Sequence, residues 1–289
     1  MPTLSRPLRL LAIAIPLVLA TPGGSIARTP SPPADGPTLV ASADSAGSPG
    51  WIVQRFFDRD GWPGRARYYT GEMARYAAAA TLGAHLPPGA TVRHRVLLRE
   101  RDRTVIASTL SGVDRENDWY AYLYRDAAGW KLGEIRTLAL PPLFYELMRS
   151  LSGETTGDPA QATELAEMRL TASPDSALKG YFAAKQTALR QLADAFRAAP
   201  ALTRVTRDGD GGASGAPSGI VSLLRRLHVA SVERQPEHPG CVFVVIGGML
   251  DNSVGYLHAP PGCAVPAMSP HGFILVEPIA PGWYLYKST

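Results

Sequence analysis

The chain has 289 residues, 45% of them hydrophobic, with 29 Lys and Arg against 25 Asp and Glu, and only two Cys. This composition excludes a disordered polymer, a disulfide-dense miniprotein and a Cys-rich zinc domain. A net charge of +4 is too mild to mark a nucleic-acid binder.

The first residues read as a secretory leader, 1–27. Arg6 and Arg9 give the positive start, and Leu10 to Ala20 is an uncharged apolar run. Ser25-Ile26-Ala27 places small residues before a cut ahead of Arg28, with Ala20 as an earlier alternative. The apolar run is shorter than the roughly 20 residues that span a bilayer, and no later run is long enough, so no transmembrane segment is expected after cleavage. Removing the leader takes two Arg and no acid, which lowers the charge from +4 to +2. The chain is accordingly expected to be periplasmic or secreted.

Residues 28–50 are rich in Pro, Ser, Ala and Gly and read as a tether, partly stiffened by its prolines. From Trp51 the pattern turns globular. Trp51 to Phe57 is a short apolar helix, followed by a turn at Asp60-Gly61-Trp62-Pro63-Gly64. Tyr69, Met73, Tyr76, Ala77, Ala80 and Leu82 recur at helical spacing and predict one helix over 68–85, ended by Pro87-Pro88-Gly89. Strands are predicted at 92–99, 104–110, 119–125 and 130–138. Their short connections favour antiparallel hairpins. A helix follows Pro141-Pro142, which completes a first domain over 51–153.

The remainder, 154–289, repeats the order of helices, then strands. Helices are predicted from Asp158-Pro159 to about Arg169, from Ser173-Pro174-Asp175 to before Pro200, and over 220–227. In the middle one Ser173 reads as the cap and Asp175 as a first-turn acid. Residues 207–219 read as a linker rather than a calcium loop, because Asp208 and Asp210 lack further oxygen ligands. Strands are predicted near 229–234, 241–246, 254–258, 273–278 and 283–286, with Gly247-Gly248 as a bend. Gly129-Trp130 and Gly282-Trp283 each close a hairpin of similar pattern. Helices first and antiparallel strands second predict an α+β fold in two lobes.

Residues 51–140, with helices leading into a meander that ends in Gly129-Trp130-Lys131-Leu132, resemble the NTF2-like (cystatin-like) α+β group. That resemblance implies a fold and barely narrows function, since the group hosts isomerases, adaptors and exported proteins alike. It transfers no catalytic residue. The second half resembles no family.

In an exported chain Cys241 and Cys263 read as one disulfide, tying a strand start to the Pro-rich loop 259–272 and worth roughly 3 kcal/mol in the chain-entropy model. Ser176-Ala177-Leu178-Lys179 matches the S-x-x-K pattern of penicillin-interacting enzymes, but the partner motifs are missing. The six His form no helical zinc pair, so no metal is expected, and no nucleotide fingerprint or cofactor motif is found. His94 shares a strand face with Val92, Val96 and Leu98, as either a hydrogen-bonded core residue or a pocket residue. His258 meets Asp251, Asn252 and Glu277 only if the hairpin registers bring them together. Arg93, Arg95 and Arg225-Arg226 read as solvated surface. Alternation places Tyr120, Tyr122 and Tyr124 on one face and Trp119, Ala121 and Leu123 on the other. The tyrosines either cover a helix or form a binding surface.

These features predict a non-enzymatic binding or interaction module of the cell envelope, recognising an envelope protein. The alternative is a small-molecule binder or enzyme using a pocket in the first lobe. The candidate ligand-binding residues are His94, Tyr120, Tyr122 and Tyr124.

Overall fold

The Ser48 hydroxyl caps the first helix by accepting from the Trp51 amide at 3.3 Å, and Pro49 occupies its first turn. Helix α1 (Pro49–Phe57) therefore begins two residues before Trp51. The computed structural model describes residues 45–60, 62–78, 81–112, 115–153, 159–208 and 217–289. The expected leader, most of the expected tether and the centre of the expected 207–219 linker lie outside the described residues.

Strands β1 (Thr91–Arg99), β2 (Arg103–Ser111), β3 (Asn117–Asp126) and β4 (Gly129–Arg136) form an antiparallel meander in that order. One face packs on α1, burying Ile52, Val53, Phe56 and Phe57 against Ile106, Ala121, Leu123 and Leu132. The helix expected over 68–85 is instead three short pieces: a 3-10 turn at Arg65–Tyr68, α2 (Gly71–Ala74) and a 3-10 turn at Leu82–His85. The break has a physical cause. Tyr69 forms an isolated bridge with Leu132, and the Thr70 amide donates to the Leu132 carbonyl at 3.0 Å, so the chain there is spent on the sheet. The apolar spacing is real, but separate turns satisfy it.

Two bulges shape this sheet. In β1 the register shifts between Val96 and Leu98, so Leu97 and Leu98 both lie on the face opposite α1. Leu98 consequently leaves the face it was expected to share with His94. In β4, Gly133 is the extra residue, and an added Cβ there would lie 2.5 Å from the Tyr124 ring. Only glycine allows that ring to lie across the backbone.

After α3 (Pro142–Gly153) and α4 (Pro159–Thr171) comes α5 (Asp175–Arg197), which buries Leu178, Phe182, Leu189, Leu192 and Phe196 along one face. Its cap position is Pro174, one residue later than expected, and the Ser173 hydroxyl instead donates to the Arg169 carbonyl. The second sheet runs β5 (Arg204–Thr206), β6 (Ser231–Glu233), β7 (Val242–Met249), β8 (Asn252–His258), β10 (Trp283–Ser288), β9 (Phe273–Ala280). Helix α6 (Ser218–Arg226) packs Ile220 and Leu224 onto it. The β7–β8 hairpin turns at Leu250-Asp251, not at the two glycines. Gly247 sits beside a bulge under α4, where a Cβ would reach 2.3 Å from the Thr171 hydroxyl.

The two lobes share a core. Val105, Ala107, Tyr120 and Tyr122 of the first sheet lie in one buried cluster with Leu178, Phe182, Val244, Tyr256, Leu275 and Leu285. The far face of the second sheet carries Phe243, Leu257 and Tyr286, covered by Val265 and by Cys263, whose disulfide to Cys241 has a Cα–Cα distance of 4.9 Å. The loop 259–272 continues to the first lobe. Arg103 donates to the Met268 carbonyl at 3.2 Å and Arg136 to the Pro270 carbonyl at 2.8 Å. Among the described residues no helix is long and apolar enough to cross a membrane.

Candidate functional site

A cleft of about 680 Å³ opens where the end of α1 meets the start of β1. Phe57, Leu86 and Val92 give it an apolar floor. Asp58, Arg59, Asp60 and Arg93 give it charged sides, and His94 joins the lining. Backbone contacts fix its walls. Gly83 lies so close to α1 that an added Cβ would come within 2.2 Å of the Asp58 carbonyl, and Arg59 donates to the carbonyls of Pro87 at 2.6 Å and Ala90 at 3.2 Å. The turn Leu82–His85 and the segment after it are thereby pinned beside the helix end.

Val92, Arg93 and His94 are consecutive in one strand and all line the cleft. Successive side chains of a strand point to opposite faces, so a cleft touching three in a row runs along the strand's edge. β1 is the outer strand of its sheet. The cleft is thus bounded on one side by strand backbone that pairs with β2 alone.

His94 is both a hydrogen-bonded residue and a pocket residue. Its Nδ1 lies 2.8 Å from the Ser108 hydroxyl, its ring is 5.6 Å from that of Phe57, and it lines the cleft. Burial pulls its imidazole down to about 4, against the opposing attraction of Asp58. At neutral pH it is an uncharged hydrogen-bonding group, with a basicity well below the near-neutral value that best suits proton transfer.

The tyrosines lie elsewhere. Tyr120 and Tyr122 are fully buried between the lobes. The Tyr120 hydroxyl donates to Asp175 at 2.8 Å and the Tyr122 hydroxyl to the Ile274 carbonyl at 3.0 Å. Tyr124 is half-buried across Gly133, and burial with the nearby Glu134 carboxylate pushes its phenol up to about 12. The structure does not bring these three rings to the His94 cleft.

Behind β1 lies a second cluster, also missed from the sequence. Arg95, read as surface, pairs with Asp175 and, at 2.6 Å, with Glu277. Lys287 pairs with Asp175 at 2.8 Å and approaches Asp118 at 3.8 Å, while Lys179 pairs with Glu277 at 2.8 Å. Asp118 accepts from the Asp175 amide at 2.7 Å and from Thr109 at 2.6 Å. Three carboxylates meet three cations, so the buried charge is balanced. Burial raises the Asp175 carboxyl, but Lys287 and Arg95 outweigh it and hold it below its ordinary value. Burial and the neighbouring Asp175 hold Asp118 above its own. The signal was present in the sequence as lone charges inside apolar strands, Glu277 in FILVEPIA and Lys287 in WYLYKS.

The remaining sequence candidates are also placed. Lys179 is tied to Glu277 while Ser176 is exposed on α5, so the S-x-x-K pair forms part of the interlobe joint. His258 lies across the sheet from Val242 and Trp283, with its ring 4.7 Å from the Trp283 ring, and not beside Asp251 or Asn252. Among the described residues no cluster of three or more His, Cys, Asp and Glu is positioned to hold a metal ion.

The chain matches no family model, no curated protein and no solved structure.

Proposed function

We propose that this is an exported binding module of the cell envelope, and that its recognition site is the cleft between α1 and β1. The leader and the disulfide support export. The observation that carries the site is the lining of the cleft by three consecutive residues of an edge strand, which combines apolar floor, charged sides and a strand edge in one place. A neutral His94 held by Ser108 suits recognition better than proton transfer. The four-stranded meander with a helix on one face, and Gly129-Trp130-Lys131 opening its last strand, supports the NTF2-like reading of this lobe.

Photocrosslinking tests the site. A benzoylphenylalanine at position 54, where Gln54 lines the cleft from α1, in cells producing the full chain, is expected to give discrete adducts whose masses report the occupant. The same probe at Arg190, exposed on α5, is the control. No adduct at position 54 beyond that control, across several growth conditions, overturns the assignment.

A further inference from the structure

We infer that the open edge of β1 accepts an extended acidic peptide as a fifth strand of the first sheet, with an apolar side chain of that peptide entering the cleft. This rests on the cleft being the binding site and names the class of its partner.

β1 pairs only with β2, and among the described residues no backbone group outside that pairing bonds to Thr91–Arg99. The other strand edges are closed or short. Tyr69 and Thr70 bond to β4 at Leu132, and β5 has three residues. β9 carries Pro278, receives the Tyr122 hydroxyl at Ile274, and accepts the Ser269 amide at Phe273. A long free edge beside a side-chain pocket is the arrangement that strand addition requires, with main-chain bonds for affinity and a pocket for specificity.

Charge selects the occupant. β1 carries Arg93, Arg95 and Arg99 and no acid. Arg95 is neutralised internally by Asp175 and Glu277, whereas Arg93 is 70% exposed and has only a loose 3.6 Å pair with Glu116. A second copy pairing through this edge would set Arg against Arg, which opposes self-association. An incoming strand meets the two sides of β1 differently. On the α1 side it faces Val92, His94 and Val96, with Asp58 and Asp60 nearby, which favours apolar and disfavours acidic residues. On the other side it faces Arg93, which favours an acid. The expected peptide alternates apolar and acidic residues. The bulge between Val96 and Leu98 limits its pairing to the stretch from Thr91 to Val96.

A displayed random nonapeptide library, panned against the purified protein, tests this. The expected enrichment is for peptides alternating apolar and acidic residues. N-methylation of alternate backbone amides in an enriched peptide is expected to cost about tenfold or more in affinity in one phase of the alternation and little in the other, because only alternate amides face the partner strand. Arg93→Glu is expected to weaken the same peptide by about tenfold, while its melting temperature confirms the fold. Enrichment of basic sequences, indifference to N-methylation, or no enrichment over an unrelated exported protein overturns strand addition. If enrichment fails while position 54 still gives an adduct of small-molecule mass, the cleft remains the site and the peptide is wrong. If both fail, both assignments fall.

Discussion

At the scale of single residues the folded state holds two groups in states they would not choose in water. His94 is one. In the unfolded chain its imidazole titrates near 6.5, but burial against Phe57 and Ser108 moves it to about 4 in the fold. Between those values the unfolded state binds more protons than the folded state, so stability must fall as pH drops through that window. The loss from His94 is on the order of 1–3 kcal/mol by the time pH reaches about 4. His258, also lowered by burial, contributes in the same direction. Urea melts of His94→Gln against the parent isolate the first residue: the variant should show a shallower decline between about pH 6.5 and 4. Leu250 is the second group. It sits at φ 60° in the two-residue turn between β7 and β8 and is 93% exposed. A leucine there bears the steric cost of the left-handed region and buries almost nothing in return. Leu250→Asn should stabilise the protein by roughly 0.5–1 kcal/mol, read as a higher denaturant midpoint at unchanged slope.

Elements were legible where one local rule decided them. The meander, the long amphipathic α5 and the two Gly-Trp hairpins follow from alternation, helical period and turn glycines; Gly129 and Gly282 have φ of 113° and 70°. The 68–85 segment was misread because helical spacing cannot reveal that Tyr69 and Thr70 would be claimed by Leu132, more than sixty residues away. The cleft was half legible. His94 could be named from its strand, but Asp58, Arg59 and Asp60 reach it only through the packing of α1 and Gly83. The disulfide was legible because two cysteines in a chain that reads as exported leave one pairing. Its local consequence is the loop 259–272, which is covalently held at Cys263 and lends its Met268 and Pro270 carbonyls to Arg103 and Arg136. Replacing Cys241 and Cys263 by Ser should cost about 3 kcal/mol. It should also make the loop the first site of limited proteolysis, identified by mass spectrometry of the fragments. Unchanged stability in that variant would show that the packing of Val265 and Phe273 alone holds the loop.

For the whole molecule, the question is whether two sheets make two folding units. Each lobe has its own order of helices and strands, yet the first sheet gives the centre of one face to the joint. Val105, Ala107, Tyr120 and Tyr122 would be exposed if the lobes parted, and Arg95 and Asp118 would lose Asp175, Glu277 and Lys287. The charges were the least legible part of the sequence, since nothing local distinguishes a paired buried Arg95 from a solvated one. Their position predicts cooperativity. Thermal unfolding should be a single transition, with calorimetric and van't Hoff enthalpies in agreement. Asp175→Asn leaves Arg95 and Lys287 buried without their shared carboxylate, and removing one partner of such a group typically costs about 3–5 kcal/mol. Because Asp175 starts α5 while Arg95 and Asp118 belong to the first sheet, that loss should lower the one transition as a whole. Two resolved transitions in the variant, with only one displaced, would mean instead that each lobe is stable without the other. The joint also bears on the recognition proposed for the cleft: Arg95 anchors β1 from behind, next to the residues that line it. Asp175→Asn should therefore weaken any ligand captured at position 54 even at temperatures where the protein remains folded, a loss measurable as faster dissociation from the intact variant.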